Sequence, residues 1–214
     1  MDDLQQIADN LIKGRATEVK ELIQATLDAG ISPKDILNKG LIPGMDVVGD
    51  KFGKKEIWLA EVLLSARAMQ AAMSLLGPIL AASGVKPIAK VALGTVEGDI
   101  HEIGKNLVGA MLRGGGFEVI DLGIDVAPEK FVDVVKQGVS IIGMSSLVST
   151  SMASMKTTIE ALEKAGLRKQ VKVMVGGAIV TQTYADKIGA DGYAPNAASA
   201  VNKAKELLGL SSLS

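Results

Sequence analysis

The chain has 214 residues, 48% of them hydrophobic and 22% charged, with a net charge of −1, one histidine and no cysteine. This balance supplies a core, excludes disulfides and thiolate metal sites, and gives no global field to draw nucleic acid or anionic lipid. Residues 1–85 carry 9 Lys/Arg against 11 Asp/Glu and the rest 14 against 13, so neither part is a basic module. Aromatics at 3% argue against a base-stacking surface.

The first 82 residues have helical periodicity. Helices are expected at about 2–13, 17–29 and 33–50, with Ser32-Pro33 as capping residue and first-turn proline. Gly14 and Gly30 mark ends. Leu59, Val62, Leu63, Ala66, Met69, Met73, Leu76 and Leu80 recur at three- and four-residue steps and predict one apolar stripe on a long fourth helix. The apolar run 57–82 contains Glu61, Arg67 and Gln70, which argues against a membrane span. The acidic, polar N-terminus is no secretory signal. A reducing, cytoplasmic setting is the expectation. Four helices with short connections predict a small bundle over 1–85, and Ser83-Gly84-Val85-Lys86-Pro87 reads as a linker to a second domain at 86–214.

From residue 88 short β-rich runs alternate with helical stretches. The runs are 88–94, 117–123, 139–145, 171–177 and 191–194; helices fit at about 103–114, 128–137, 152–165, 181–189 and 196–208. Strands apolar on both faces predict a parallel sheet covered by helices, a doubly wound, flavodoxin-like α/β domain of five strands. Ligands on such sheets bind at the carboxyl ends of the strands. Three unusual segments fall there: Glu97-Gly98-Asp99-Ile100-His101-Glu102-Ile103-Gly104, the hydroxyl-rich Ser145 to Ser151, and Gly176-Gly177.

A lone histidine is most often a surface residue. One histidine without cysteine cannot build a zinc site, but it suffices for a metal already held by four equatorial ligands, as in a tetrapyrrole or corrin. Asp99 stands where it could orient the ring. There is no G-x-G-x-x-G and no P-loop. Gly114-Gly115-Gly116 reads as a helix end, and Gly176-Gly177 as a tight turn or a close approach of ligand to backbone. Capping explains one or two of the Ser145–Ser151 hydroxyls, and a Ser/His/Asp triad has little support. Phe52, Trp58 and Leu59 are core residues by default, or a cover for a ligand.

Asp99-Ile100-His101-Glu102-Ile103-Gly104, then Ser145-Ser146-Leu147, then Gly176-Gly177 resemble the D-x-H-x-x-G, S-x-L and G-G motifs of cobalamin-binding domains. Residues 45–67 are similar to the cap segment of cobalamin-dependent methionine synthase, and closer still to the stand-alone corrinoid proteins of methylamine and methanol methyltransferase systems. The resemblance covers about residues 1–208. It implies a corrinoid cofactor with its cobalt (cobalamin, as methylcobalamin or hydroxocobalamin), His101 as lower axial ligand in a base-off, His-on mode, and Asp99 and Ser151 completing a ligand triad. It implies that Gly104 belongs to the binding motif and that Ser145, Leu147 and Ser149 line a slot for the nucleotide tail. Gly176, Gly177, Tyr193 and Ala194 would contact its end, and Phe52 and Leu59 would shield the upper face, with Trp58 beside them. Ser149 stands where threonine is common and Glu102 where aspartate is, both mild departures. The implied function is a methyl shuttle cycling between Co(I) and methyl-Co(III). It would work with a donor-specific methyltransferase, an acceptor methyltransferase and a reductive activating protein, and without nucleic acid or membrane. A mutase subunit and a cobalamin-sensing regulator share the motif; the Phe52/Leu59 cap disfavours the first, and the absence of a spare basic segment disfavours the second.

Overall fold

The computed structural model describes residues 3–82 and 86–210. Residues 83–85 of the expected linker lie outside the described residues. Two compact units form: 1–88 together with 110–116, and 89–109 together with 117–214.

The first unit is helical. Helices α1 (Asp3–Ile12) and α2 (Ala16–Asp28) precede a short α3 (Pro33–Asp35), a π-helical stretch Ile36–Leu41 and α4 (Ile42–Gly53); α5 (Leu59–Ala82) closes the series. Ser32 caps α3 by accepting from the Asp35 amide at 3.0 Å, with Pro33 following. The helix expected at 33–50 therefore exists, but with a π-helical middle. Pro43 in the first turn of α4 supplies the reason: its ring has no N–H and crowds the carbonyl four residues back, so the ladder widens, and Ile42 donates to Leu37 five residues away.

The core of this unit is built from Ile7, Leu11, Val19, Ile23, Ile36, Leu41, Met45 and Val48 with Val62, Ala66, Met69, Leu76 and Leu80 of α5. Leu59 and Leu63, expected on the same stripe, are instead exposed. Between Leu59 and Leu80, α5 is long and apolar enough to cross a membrane by length and composition. Here its buried face forms bundle core, and Ser65 on that face donates to the Ile12 carbonyl at 3.1 Å.

The second unit holds a five-stranded sheet: β1 (Lys90–Val96), β2 (Glu118–Val126), β3 (Ile141–Ser145), β4 (Lys172–Gly176) and β5 (Gly192–Tyr193). All pairings are parallel, in the order β2-β1-β3-β4-β5. Helices α6 (Ile103–Gly114), α7 (Pro128–Val135), α8 (Met152–Lys164), α9 (Gln182–Ile188) and α10 (Ala197–Leu207) follow the strands in turn. This is the doubly wound, flavodoxin-like order. Central strands are buried along nearly their whole length, whereas the edge strand β2 is largely open. Gly94 of β1 makes room for Phe131 of α7, which is fully buried; a Cβ at Gly94 would lie 2.7 Å from the Phe131 ring. The strand order changes direction between β1 and β3, so the crevice of this fold opens beyond their carboxyl ends.

Candidate functional site: a histidine oriented by a buried carboxylate

The loop from β1 to α6 carries His101 and the loop from β3 to α8 carries the serines, so adjacent parallel strands bring them together. Gly98, at φ 83°, turns the chain, and the Asp99 amide closes the turn onto the Val96 carbonyl at 3.1 Å. The Asp99 side chain is fully buried beneath the loop, and that of His101 is 51% exposed.

Asp99 Oδ1 accepts from the His101 amide at 2.9 Å and lies 2.7 Å from His101 Nδ1. Its Oδ2 accepts from the Leu147 amide at 2.6 Å and from Ser151 Oγ at 3.3 Å. Ser151 and Ser146, both buried, sit 2.8 Å apart, oxygen to oxygen. Thr95, buried at the end of β1, donates to the His101 carbonyl at 2.8 Å.

Burial is the largest single influence on the Asp99 carboxyl and pushes its pKa up. The amides of Leu147 and His101 and the His101 ring together outweigh it, and the pKa falls to about 2. Asp99 is therefore ionised at neutral pH and can only accept. The proton of a neutral His101 must then sit on Nδ1, which leaves the Nε2 lone pair available to a metal.

The lowered pKa has a consequence in acid. Unfolded Asp99 titrates near 4, so between pH 4 and pH 2 the folded chain binds fewer protons than the unfolded one, and stability rises with pH. The contribution, about 2 kcal/mol, is fully present above about pH 4 and is lost as pH falls through the folded value. Denaturant unfolding of wild type and Asp99→Asn from pH 2 to 6 checks this. The stability gap should widen up to about pH 4 and then stay flat; a gap independent of pH would refute it.

The hydroxyl segment divides. Ser151 occupies the N-cap position of α8 but makes no capping bond; its hydroxyl serves Asp99, Ser146 and the Val148 carbonyl instead. Helix capping therefore does not account for it. Ser145 ends β3 half-buried, and Leu147 and Ser149 are exposed. Gly177, at φ 129°, passes so close to β3 that a Cβ would lie 1.9 Å from the Ser146 carbonyl oxygen. A Cβ on Gly176 would lie 3.0 Å from the Ala194 carbonyl oxygen. Protein backbone is thus enough to require glycine at 177 and to crowd any side chain at 176. Tyr193 is half-buried and Ala194 buried at the end of β5. In the helical unit Trp58 is 82% exposed and Leu59 is exposed, so neither is core; Phe52 is half-buried.

The residues fit a metal that brings its own equatorial ligands. Among the described residues no cluster of three or more His, Cys, Asp or Glu could hold a metal ion. The oriented His101 ring is flanked by Ile100 and Ile103, 70% and 68% exposed, and by exposed Leu147, an apolar rim suited to a flat macrocycle. A Cβ on Gly104 would meet nothing within 4 Å, so this turn of α6 has open space beside it.

The B12 binding domain family matches residues 89–202, and a second B12 binding domain family matches residues 3–76. This chain belongs to the B12-binding corrinoid proteins. It is 44% identical over 206 residues to dimethylamine corrinoid protein 3 of Methanosarcina acetivorans, covering 96% of each chain. It is 45% identical over 192 residues to the trimethylamine corrinoid protein of Methanosarcina barkeri, covering 88% of each. Among solved structures it is similar to a cobalamin-binding protein from Desulfitobacterium hafniense DCB-2, with a TM-score of 0.80, 32% identity, and coverage of 97% of this chain and 99% of that one. It is also similar to a chain of the methanol:cobalamin methyltransferase complex of Methanosarcina barkeri, with a TM-score of 0.86, 30% identity, and coverage of 97% and 80%. The cofactor of this corrinoid protein is a cobalamin or related corrinoid with its cobalt.

Sequence reasoning missed Ser146 and Thr95 as parts of the site. Both are hydroxyls beside motif residues, which is the only signal they carry in sequence. The role of Leu147 within the hydrogen-bond network is its main-chain amide, which no residue type announces.

Proposed function

We propose that this corrinoid protein is a methyl carrier. It would hold its cofactor base-off, with His101 Nε2 as the lower axial ligand, and serve a donor-specific methyltransferase on one side and an acceptor methyltransferase on the other. When bound, the corrinoid supplies a cobalt that takes up and releases a methyl group between Co(I) and alkylated Co(III). The observation that carries the reading is the 2.7 Å Asp99–His101 Nδ1 contact, which presents Nε2 outward. The dimethylamine and trimethylamine names of its relatives and the methyltransferase complex among its structural neighbours support the methyl-transfer setting.

In this reading each residue has a task. Asp99 holds the His101 ring and the proton on Nδ1, and Ser151, bonded to Asp99 and Ser146, extends that proton path. Ser145, Leu147 and Ser149 line the tail slot; Gly176, Gly177, Tyr193 and Ala194 bound its far end. Phe52, Leu59 and Trp58 of the helical domain, residues 1–85, cover the methyl-bearing face, and residues 86–214 carry the cofactor. A reductive activating protein restores oxidised carrier, and the setting is cytoplasmic.

The test uses the full chain loaded with hydroxocobalamin and reduced to Co(II). Its EPR spectrum should show a nitrogen triplet that becomes a doublet when the protein is grown with 15N-histidine. Splitting that ignores the label would assign the ligand to the cofactor's own base and sink the His-on reading.

Gly104 gives a second test that separates folding from binding. Gly104→Ala should leave the cofactor-free chain as stable as wild type, or up to about 1 kcal/mol more stable, because alanine favours helix and the space is open. Corrinoid retention on gel filtration should nevertheless fall. Undiminished retention would remove Gly104 from the binding surface.

A further inference from the structure

The edge strand β2 carries features that the site described above leaves unused. Its pairing with β1 slips twice: Leu93 faces Asp121 but Gly94 faces Gly123, and Val96 then faces Val126. Each slip places an extra residue in β2, a bulge of the kind that re-aims polar groups beside functional sites. The second bulge holds Asp125 at φ 50°, left-handed backbone that few residues other than glycine, asparagine and aspartate adopt.

That conformation turns two polar groups of one residue onto the His101 loop. The Asp125 amide donates to the Asp99 carbonyl at 2.9 Å, and Asp125 Oδ1 accepts from the Gly98 amide at 2.8 Å. At the first bulge the Asp121 carboxylate pairs with the ammonium of Lys105, a buried side chain in the first turns of α6. Lys105 also donates to Asn106 Oδ1 at 2.7 Å. One bulged strand thus holds residues 98–99 on one side of His101 and residue 105 on the other.

We propose that the bulged half of β2 is a clamp that positions His101 for cobalt, with Asp125 as its decisive residue. The proposal rests on the reading of His101 as the axial ligand. Asp125 is a positioning residue: its hydrogen bonds go to Gly98 and Asp99, not to the His101 ring. It fixes the main chain of Asp99, and the Asp99 carboxylate fixes the ring. Strain kept at one residue beside a site suits a constraint of this kind. A purely structural role would change stability and leave axial ligation untouched.

The experiment loads full-length wild type, Asp125→Ala, Asp125→Asn, Asp125→Gly and His101→Ala with hydroxocobalamin and reduces them to Co(II). With every chain grown on 15N-histidine, EPR gives the ratio of cobalt without to cobalt with histidine ligation, and urea unfolding of the cofactor-free chains is followed in parallel. Asp125→Ala, which loses the acceptor and keeps the strain, should raise that ratio about tenfold. Asp125→Asn should restore it, since asparagine accepts through Oδ1 and tolerates the same φ. Asp125→Gly should fall between, because it relieves the strain but lacks the acceptor. If Asp125→Ala does not fold, Asp125→Gly decides by the same ratio. Histidine splitting in wild type with an unchanged ratio in the alanine or glycine variant overturns the clamp alone. No histidine splitting in wild type overturns the ligand reading and the clamp together.

Discussion

In chains grown with 15N-histidine, His101→Ala is expected to abolish the label-dependent doublet in the Co(II) EPR spectrum of the loaded chain. The sequence has no second histidine and no cysteine to replace the ligand. The apolar rim of Ile100, Ile103 and Leu147 offers no donor side chain. Corrinoid should still bind, because the contacts proposed for the nucleotide end lie on the β3, β4 and β5 loops rather than on His101. Its affinity should drop by about 10- to 100-fold, the scale on which even the supporting partners of metal ligands act. Equilibrium dialysis with methylcobalamin measures the drop, and added 15N-imidazole should restore the doublet by entering the vacated position. The variant also frees Asp99 from one of the groups that lower its pKa, so that carboxyl should titrate higher than in wild type. An unchanged label-dependent doublet in His101→Ala would refute the assignment of the ligand.

Gly177→Ala should be the most damaging single-methyl change near the site. The added Cβ would lie 1.9 Å from the Ser146 carbonyl oxygen, and the residue holds a φ of 129° that alanine strongly disfavours. Overpacking and backbone strain together should cost about 3–4 kcal/mol, read as a lower urea midpoint with an unchanged slope. The obstacle is main chain, so no side-chain rotation relieves it. Relief requires β3 and β4 to separate at their carboxyl ends. There the Ser146 amide donates to the Gly176 carbonyl at 3.2 Å, and Ser146 in turn holds Ser151. Corrinoid retention should fall with stability. Gly176→Ala, where the added Cβ would lie 3.0 Å from the Ala194 carbonyl oxygen, should cost less, about 1 kcal/mol. Equal costs for the two variants would refute this account of the Gly-Gly pair.

Much of the architecture is legible in the sequence. The change from three- and four-residue apolar spacing to short β-rich runs marks the passage from bundle to sheet, because each element must bury one stripe or both faces. The bends inside elements are less legible. Pro43 is visible in the sequence, yet the π-helical stretch before it depends on how the neighbouring turns absorb a missing N–H. Leu59 and Leu63 match the periodicity of α5 and are nevertheless exposed, because periodicity reports a face and not what covers it.

The site shows the same division. Asp99 and His101 are readable as residue types at motif spacing, and Ser151 as one of a run of hydroxyls. The structure adds the atoms: Oδ1 toward the ring, Oδ2 toward the Leu147 amide and Ser151. The short-range pattern of this chain determined on its own that a lone histidine follows an aspartate at a strand-to-helix turn, at the carboxyl edge of a parallel sheet. Only tertiary structure decided that Asp99 is buried and ionised, that Ser146, Thr95 and Asp125 belong with it, and that Nδ1 is the ring nitrogen Asp99 engages. The reason is sequence distance. The bonds that fix the Asp99 loop join positions 27, 48 and 52 residues apart. Such pairs meet only after β1 has taken its place between β2 and β3, and no local propensity encodes that placement.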